Sequence, residues 1–295
     1  MNISAGFGRL NDGGDDTRLG YVLIILSSFF FAIMGLFVKA TAYLPLFERV
    51  FFRNLVMFGI ISLLMYKTGT SYTGKVPHRK FLIARSLLGF LGVSLFFYAM
   101  SNITLADATA LNRLSPFFAA LAASVLLRER LTRLHVGAMF VLFGSVLLII
   151  KPGFNPDILP ALAGLGSAVV AGFAYATVRH LHDKEHPFTI IFYFCTISTV
   201  ISFPLMMMDF QMPNFRDMLL LFCIGACASG GQFFLTLGLR YGEASKVTPL
   251  NNMHVVFVLI LAFMVFGEVP DILSSLGILM ILLTALVLFW KTRKD

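Results

Sequence analysis

Charged side chains are scarce in this chain. Asp, Glu, Lys and Arg make up 13% of its 295 residues, whereas an average soluble domain holds about 25%. Too few polar side chains remain to cover a globule of 32.7 kDa, which excludes a water-soluble fold. The same shortage excludes a disordered chain, because disorder requires low hydrophobicity and high charge. With 3 Cys residues, a disulfide scaffold is excluded as well.

Long apolar runs take the place of the missing charge, since 58% of the residues are hydrophobic. Each run has about the 20 residues that a transmembrane helix needs. The runs are continuous and rich in Leu, Phe and Ala, so they do not resemble the alternating strands of a membrane β-barrel. The sequence therefore predicts an all-α polytopic membrane protein with ten transmembrane helices. These are expected at 19–38, 45–66, 82–100, 106–127, 134–150, 158–178, 188–208, 217–239, 244–266 and 272–290.

Both ends of the sequence lie outside these apolar runs. Residues 1–18 contain Asp12, Asp15 and Asp16 together with two Gly residues, and they lack the basic start of a signal peptide. We expect 1–18 to be a disordered cytoplasmic tail and 291–295 to be a second cytoplasmic tail. The first apolar run is full length, which predicts an uncleaved first span.

The distribution of Lys and Arg between the spans predicts the orientation. With both termini in the cytoplasm, most of the Lys and Arg residues between the spans lie inside, and the other side holds only Lys39, Lys151 and Arg216. Short cytoplasmic loops are enriched in Lys and Arg. The net charge of +8 is thus explained by membrane orientation, and no nucleic-acid partner is predicted.

A duplication becomes visible when the second half of the chain is aligned with the first. Each half, 19–152 and 157–290, then contains five predicted spans. Because five is odd, the second half must enter the membrane upside down relative to the first, as in the inverted repeats of secondary transporters. The aligned pairs are Thr109 with Thr248, Leu111 with Leu250, Asn112 with Asn251, Ala123 with Ala262, and Glu129 with Glu268.

Two segments at equivalent places carry a family resemblance: LADATALNRLSPFFAALAASVLLRERL (105–131) and GEASKVTPLNNMHVVFVLILAFMVFGE (242–268). With the closing runs GSVLLIIKP (144–152) and GILMILLTALVLFW (277–290), the chain resembles EamA-type members of the drug/metabolite transporter superfamily. The resemblance implies two EamA repeats, transport of a small organic metabolite without enzymatic activity, and no cofactor. It also implies a monomer or homodimer in the lipid bilayer of a bacterial inner membrane. Residues 85–100 look like a subgroup that includes organic-anion and S-adenosylmethionine carriers.

Polar residues inside the spans are candidates for the substrate site, because they are expensive in hydrocarbon and usually face a cavity. Arg53 and Arg113 lie about 10–12 Å deep at 1.5 Å per residue. Neither has a carboxylate three or four residues away, so we expect them to bind an anionic group of the substrate. The alternative is structural, with Arg53 bonded to carbonyls and Arg113 paired with Asp107 or Glu48. The remaining predicted site residues are Tyr98, Asn112, Tyr175, Gln232, Asn251, Asn252 and His254.

Several of these residues also have structural interpretations. The two aligned Asn residues could form interhelical hydrogen bonds. His254 could relay protons or could be a neutral side chain bonded to span four. A stripe of small residues predicts close packing of span six; it consists of Gly164, Ala168, Gly172 and Ala176.

Prolines and terminal glutamates are expected to shape the spans. Pro116, Pro204 and Pro249 are expected to interrupt their helices and could act as hinges. Glu129 and Glu268 lie at helix ends, where we interpret them as loop anchors.

Two rival functions follow from other features. His180, His182, Asp183, Glu185 and His186 in HLHDKEH (180–186) are possible metal ligands, so a membrane-embedded metal-dependent enzyme is one alternative. A channel or a receptor is the other.

Overall fold

In the computed structural model of the chain, residues 17–126, 133–151, 158–181, 184–241 and 248–292 are described, and this part contains helices and no strand. The helices are α1 (Thr17–Ala40), α2 (Leu46–Thr68), α3 (Arg79–Asn102), α4 (Leu105–Asn112), α5 (Ser115–Leu126), α6 (Arg133–Ile150), α7 (Leu159–Leu181), α8 (Pro187–Met207), α9 (Phe215–Tyr241), α10 (Met253–Phe266) and α11 (Ile272–Thr292). Short 3-10 helices lie at Val76–His78 and Thr248–Asn252.

Six stretches within the described residues are long and apolar enough to cross a membrane. They are Arg18–Ala40, Leu46–Thr68, Val76–Asn102, Leu159–Val178, Pro187–Met207 and Phe215–Leu235. Three further apolar helices are shorter, and they cover Gly137–Ile150, Leu250–Phe266 and Ile272–Val287. The predicted class, an all-helical integral membrane protein, is confirmed. The total of ten spans stays a prediction.

The fourth predicted span, 106–127, is divided into two helices, as expected from Pro116. α4 ends at Asn112, a turn follows at Arg113 and Leu114, and α5 begins at Ser115. Pro116 explains the break, since proline lacks the N–H that would bond the carbonyl of Asn112 one turn earlier. The break places Arg113 at the junction of two short helices.

The ninth predicted span, 244–266, is likewise not one regular helix. The 3-10 helix Thr248–Asn252 contains Pro249, and α10 starts directly after it; residues 244–247 lie outside the described part. Pro204 was a third expected interruption, but α8 continues through it from Pro187 to Met207. Two of the three expected proline interruptions therefore coincide with breaks.

At one end of the bundle, polar contacts connect the ends of neighbouring helices. We call this end the Lys39 end. The Lys39 ammonium forms an ion pair with Glu268 and donates to the carbonyl of Ile103 over 2.8 Å. Lys151, after α6, pairs with Asp271, before α11. Here α1, α3, α6 and α10 end, and α2, α4, α9 and α11 begin.

The opposite side, which we call the Glu185 end, joins the α2–α3 loop to the α7–α8 loop. The Glu185 carboxylate accepts from the backbone N–H of Lys75 over 2.8 Å and lies 3.0 Å from the His78 ring. The Thr189 hydroxyl donates to the carbonyl of Ser71 over 2.9 Å. α3 and α8 begin at this end, and α2 and α7 finish here.

Packing between the helices follows a reciprocal pattern. α1 packs against α9 and α10, while α7 packs against α3 and α5. α2 packs against α8 and α9, α8 also packs against α3, and α6 packs against α11. The predicted small-residue stripe is a packing surface, because a Cβ at Gly172 would lie 2.5 Å from the Cβ of Phe118 on α5.

Candidate functional site

Arg53 lies two turns into α2, and only 5% of it is exposed. Its Nη1 donates to Oδ1 of Asn54 over 2.9 Å. Its guanidinium carbon lies 5.7 Å from the centre of the Phe194 ring and 6.0 Å from that of Phe97. Nε is buried and has no hydrogen-bond partner among the described residues. The guanidinium thus lies between aromatic rings, and part of its edge is free to bind a ligand.

Arg85, which the sequence interpretation did not single out, contacts the same phenyl ring. Its guanidinium carbon is 4.3 Å from the centre of Phe194, and Nε and Nη1 are buried without partners in the described part of the chain. Gly89 leaves room for it, since a Cβ there would lie 2.8 Å from Nη1 of Arg85. The glycine one turn after the arginine was the available signal in the sequence.

Arg113 lies in the turn between α4 and α5. We refer to Arg53, Arg85 and Arg113 together as the arginine cluster. The Tyr175 side chain on α7 is within electrostatic range of both Arg85 and Arg113. Nε of Arg113 is buried and has no hydrogen-bond partner among the residues described. Tyr175 and Arg113, which the sequence predicted as site residues, thus lie within electrostatic range of each other, and Arg85 on α3 lies within range of the same tyrosine.

The carboxylates expected in the structural alternative bind elsewhere. Glu48 accepts from the backbone N–H of Gln211 over 3.3 Å. The Asp107 carboxylate interacts with the side chains of Thr104 and Ser274. The ion pairs recorded within the described ranges join other residues, with Lys39, His78 and Lys151 as their basic partners. Within that part of the chain, no arginine of the cluster has a carboxylate partner.

Arg49 has a structural role, although its Nε is buried without a partner among the described residues. It lies one turn before Arg53, and its Nη1 donates to the hydroxyl of Ser101 over 2.6 Å and to the carbonyl of Val38 over 3.2 Å. Arg49 thereby ties α2 to α1 and α3 near the Lys39 end.

The aligned asparagines make equivalent contacts. Asn112 Nδ2 donates to the hydroxyl of Ser167 on α7 over 2.9 Å. The hydroxyl of Ser28 on α1 donates to Oδ1 of Asn251 over 3.4 Å. Ser28 and Ser167 are themselves related by the same shift along the chain that aligns the asparagines. Each asparagine thus joins a broken helix of one half to the first helix of the other half.

His254 is buried in the first turn of α10 and packs edge-on against Phe31 of α1, with ring centres 6.5 Å apart. It interacts with the backbone of Phe31 and lies within electrostatic range of Arg113. His254 therefore contacts α1, and its Nδ1 is buried without a hydrogen-bond partner among the described residues. Asn252 is half-buried and precedes α10 directly.

Tyr98 and Gln232 complete the predicted set. Tyr98 is half-buried on α3, and its backbone carbonyl accepts from Nδ2 of Asn102 over 2.8 Å. Gln232 is half-buried on α9, next to Gly231, whose carbonyl accepts from Ser27 over 2.7 Å. Their assignment to the site stays a prediction.

The loop considered as a metal site has other contacts. The ring centre of His180 lies 4.5 Å from that of Phe81, Glu185 bonds His78, and the His186 ring accepts from the N–H of Phe188 at the start of α8. His182 and Asp183 lie outside the described residues. Within those residues, no group of three or more His, Cys, Asp or Glu is placed to hold a metal ion.

A groove of about 310 Å³ between α10 and α11 lies away from the arginine cluster. Its lining is almost wholly apolar, so it offers nothing to bind an anion. The residues are Leu259, Pro270, Ser275, Ile278, Leu279 and Leu282.

Comparison with known proteins identifies the class. The model of the EamA-like transporter family matches this chain twice, over residues 18–151 and 158–290. The chain belongs to the EamA-like transporter family. It is a membrane transporter and not an enzyme, which confirms the family expected from the sequence.

Individual relatives agree with this membership. The pseudopaline exporter CntI of Pseudomonas aeruginosa is 35% identical over 284 residues, covering 95% of this chain and 99% of the exporter. Solute carrier family 35 member G1 of Homo sapiens is 30% identical over 271 residues, 85% of this chain and 73% of the carrier. The S-adenosylmethionine uptake transporter of Rickettsia prowazekii is 25% identical over 257 residues, 84% of each chain.

The fold is also shared with a solved protein. One crystal structure matches 94% of this chain and 97% of its own length with a TM-score of 0.65 and 19% sequence identity. At this identity the match concerns the fold alone.

Proposed function

We propose that this protein is a secondary transporter that moves a small organic metabolite with an anionic group by alternating access between two inverted five-helix repeats. The observation that carries the proposal is the pair of equivalent hydrogen bonds, Asn112 with Ser167 and Asn251 with Ser28. Both bonds cross between the halves at the helix breaks. Discontinuous helices at the interface of inverted repeats form the substrate sites of many transporters.

Helix directions support the inversion. At the Lys39 end, α1 ends and α2 begins, whereas α8 ends and α9 begins there in the second half. The second helix of the first half and the second helix of the second half thus run in opposite directions. The reciprocal packing of α1 with α9 and of α7 with α3 is what a twofold axis in the membrane plane would produce.

Ten crossings are consistent with the described helices. α4 and α5 together form the fourth crossing, and the 3-10 helix with α10 forms the ninth. Repeats at 19–152 and 157–290 then hold five crossings each. We further propose that the protein resides in a bacterial inner membrane and that both termini are cytoplasmic. In this orientation the Glu185 end faces the cytoplasm.

The substrate class follows from charge. Arg53 is buried, Arg85 and Arg113 are half-buried, and none of the three has a carboxylate partner in the described part of the chain. This favours an anionic ligand, because planar guanidinium groups bind carboxylate or phosphate with two parallel hydrogen bonds. Relatives named for pseudopaline export and S-adenosylmethionine uptake make an organic metabolite the natural candidate. In our proposal Arg53 and Arg113 bind the anion. Tyr98, Asn112, Tyr175, Gln232, Asn251, Asn252 and His254 line the path of the rest of the metabolite.

Counterflow in proteoliposomes tests the transport mechanism. Metabolites that raise the melting temperature of the detergent-purified protein are selected first, since a ligand of the folded state stabilises it. Radiolabelled hits are then offered to vesicles preloaded with the same unlabelled compound. A carrier shows saturable uptake with transient accumulation of label. Uptake that neither saturates nor shows counterflow would establish the channel alternative instead.

The anionic group is tested separately with Arg113→Lys. Lysine keeps the charge and loses the planar fork, so affinity for the anionic hit should fall by about tenfold or more. Affinity for its neutral analogue should change little. Equal losses for the two compounds would assign Arg113 a structural role between α4 and α5.

A further inference from the structure

We propose that Arg53 and Arg85, both held against the Phe194 ring, form a two-guanidinium site that selects substrates with two carboxylate groups. This inference rests on the proposed transport function and specifies its substrate class. It also adds Arg85, Phe194 and Gly89 to the functional residues.

Arg53 and Arg85 contact the same aromatic ring. The guanidinium carbons of Arg53 and Arg85 lie 5.7 Å and 4.3 Å from the centre of one ring, so their separation cannot exceed the sum of these two distances. Contact with the ring covers the face of each guanidinium and leaves its edge available. A short dicarboxylate such as succinate, glutarate or adipate could therefore reach both edges at once.

Several edge atoms of the two guanidinium groups are buried donors. Nε of Arg53, together with Nε and Nη1 of Arg85, is buried and lacks a hydrogen-bond partner within the described residues. Buried donors are normally bonded, and unsatisfied ones need an explanation such as a missing ligand. Arg49, one turn before Arg53 on α2, also has a buried Nε without a partner in the described part of the chain, but its Nη1 has both a hydroxyl and a carbonyl partner.

Arg53 and Arg85 place two positive charges beside one ring, close enough to repel each other. Tyr175 lies within electrostatic range of Arg85 and of Arg113. A single carboxylate would neutralise only part of this charge. Two carboxylates, one at each guanidinium beside Phe194, would neutralise the pair, while Arg113 remains near the polar part of the substrate.

Arg53 and Arg85 reach the Phe194 ring from helices that begin at opposite ends of the bundle. Arg53 enters from the Lys39 end on α2, about 10 Å along the helix, and Arg85 enters from the Glu185 end on α3, about 9 Å along its helix. Phe194 comes from α8 in the second half of the chain. The two carboxylates of a bound substrate would then lie at different depths, with the ring of one half in contact with both arginines of the other half.

Gly89 leaves space for the Arg85 guanidinium beside the Phe194 ring. A Cβ at this position would lie 2.8 Å from Nη1 of Arg85 and 2.8 Å from Cε2 of Phe194. The absence of a side chain allows the guanidinium to fold back against the ring. Gly89→Ala should therefore displace Arg85 without removing any charge.

The test compares dicarboxylates with their own monoamides on the full-length protein in nanodiscs. Affinities of succinate, glutarate and adipate are measured by calorimetry beside those of succinamate, glutaramate and adipamate, which have nearly the same shape and one carboxylate fewer. We expect at least one dicarboxylate to bind about tenfold more tightly than its monoamide, the effect of one additional charge-assisted contact. Ratios near one for all three pairs would overturn the proposal.

Variants then assign the preference to the two arginines. Arg53→Gln and Arg85→Gln should each reduce the dicarboxylate-to-monoamide ratio to about one, and Gly89→Ala should reduce it with all charges kept. Arg49→Gln and Lys80→Gln are the matched controls, because they remove a partnered buried arginine from α2 and an exposed lysine from α3. A ratio that stays at the parental value in Gly89→Ala and in both cluster variants, with each folded by its melting temperature, would overturn the assignment.

Counterflow of the thermal-shift hits separates this inference from the proposed function. Counterflow of a monoanionic or neutral metabolite, together with dicarboxylate-to-monoamide ratios near one, would leave the transport function standing and refute the two-carboxylate site. Lack of counterflow for every hit would refute the transport mechanism, whatever the binding ratios are.

Discussion

Ser28 and Ser167 occupy equivalent places in the two halves, yet their hydrogen bonds to asparagine differ in length. The bond between Asn112 and Ser167 is 2.9 Å long, and the bond between Asn251 and Ser28 is 3.4 Å long. The two bonds also have opposite donors: Asn112 donates to Ser167, whereas Asn251 accepts from Ser28.

Ser167→Ala should lower the melting temperature more than Ser28→Ala. The shorter bond is the stronger one, and an interhelical hydrogen bond in a membrane bundle contributes about 0.6 kcal/mol on average. Differential scanning fluorimetry of the two variants beside the parent protein measures the difference. A larger loss in Ser28→Ala would contradict the order of the two bonds.

Asn112→Ala and Asn251→Ala should each lower transport while expression stays near normal. Each removes the amide that joins a broken helix of one half to the first helix of the other half. Counterflow in proteoliposomes measures the effect. Parental transport in both variants would remove these residues from the substrate path.

Two of the three arginines in the cluster could be predicted from the sequence. The depths of Arg53 and Arg113 and the lack of nearby carboxylates in the sequence singled them out. Arg85 was not predicted as a site residue because it lies near the start of an apolar run. An arginine at such a position commonly marks the membrane border. Only the contact with Phe194, in the other half of the chain, shows that its side chain turns inward.

At the scale of single elements, the breaks between α4 and α5 and before α10 were not visible in hydropathy. Both lie in long apolar runs, and composition does not distinguish one long helix from two shorter ones. Pro116 and Pro249 were noted as possible hinges. Whether a proline kinks a helix or ends it depends on neighbouring groups that can bond the freed carbonyl, as the continuous helix around Pro204 shows.

Gly172→Ala should destabilise the packing of α7 on α5. Its added Cβ would lie 2.7 Å from the backbone carbon of Phe118, and backbone cannot move aside as a flexible side chain can. Overpacking of this kind costs about 1–3 kcal/mol. Gly59→Ala is the control, since no atom lies within 4 Å of a Cβ there. Equal melting temperatures for the two variants would contradict the close approach of α7 and α5.

At the start of α11, Asp271 both caps the helix and forms an ion pair with Lys151. Changing the pH distinguishes the contributions of the cap and the ion pair to stability. Asp271 Oδ1 accepts from the N–H of Leu273 over 3.0 Å and from that of Ser274 over 3.1 Å. The hydrogen bond from Lys151 lowers the pKa of the Asp271 carboxyl below its ordinary value. A carboxyl with a lowered pKa stabilises the fold above its ordinary pKa, about 3.9, and loses this contribution as pH falls through the folded pKa.

Asp271→Asn should therefore lower the free energy of unfolding only slightly at neutral pH and still less in acid. Asparagine keeps the cap, and the ion pair contributes little because the Asp271 side chain is more than half exposed. Asp271→Ala should cost about 1 kcal/mol more, since it also removes the cap. Melting temperatures at neutral and acidic pH provide the measurement. A destabilisation by asparagine that grows on acidification would contradict the lowered pKa.

At the scale of the whole molecule, polar contacts close the two ends of the bundle differently. At the Lys39 end, Glu268 joins α10 to α1 through the ion pair with Lys39 and to α4 through the N–H of Leu105, 3.0 Å away. The sequence interpretation of Glu268 as an anchor at the end of its helix agrees with these contacts. Its counterpart Glu129 lies outside the described residues.

Cysteine accessibility tests the proposed topology. Met212 lies at the Lys39 end and is 85% exposed, and Val76 lies at the Glu185 end and is 71% exposed. In whole cells, an impermeant maleimide should label Met212→Cys and should leave Val76→Cys unlabelled until the membrane is opened. The parent protein is the control, because Cys195 is buried and Cys223 and Cys227 are half-buried. The reverse labelling pattern would place both termini outside.

Sequence by itself determined the class of this protein. Sparse charge and long apolar runs require a membrane environment, and the internal repeat with its motifs led to the EamA-like transporter family. These properties follow from composition and order along one chain. The arginine cluster and the serine partners of Asn112 and Asn251 depend on tertiary structure, because their members come from helices far apart in sequence. Which face of each apolar helix turns inward is decided by packing against its neighbours, and in a bilayer both faces can be equally apolar.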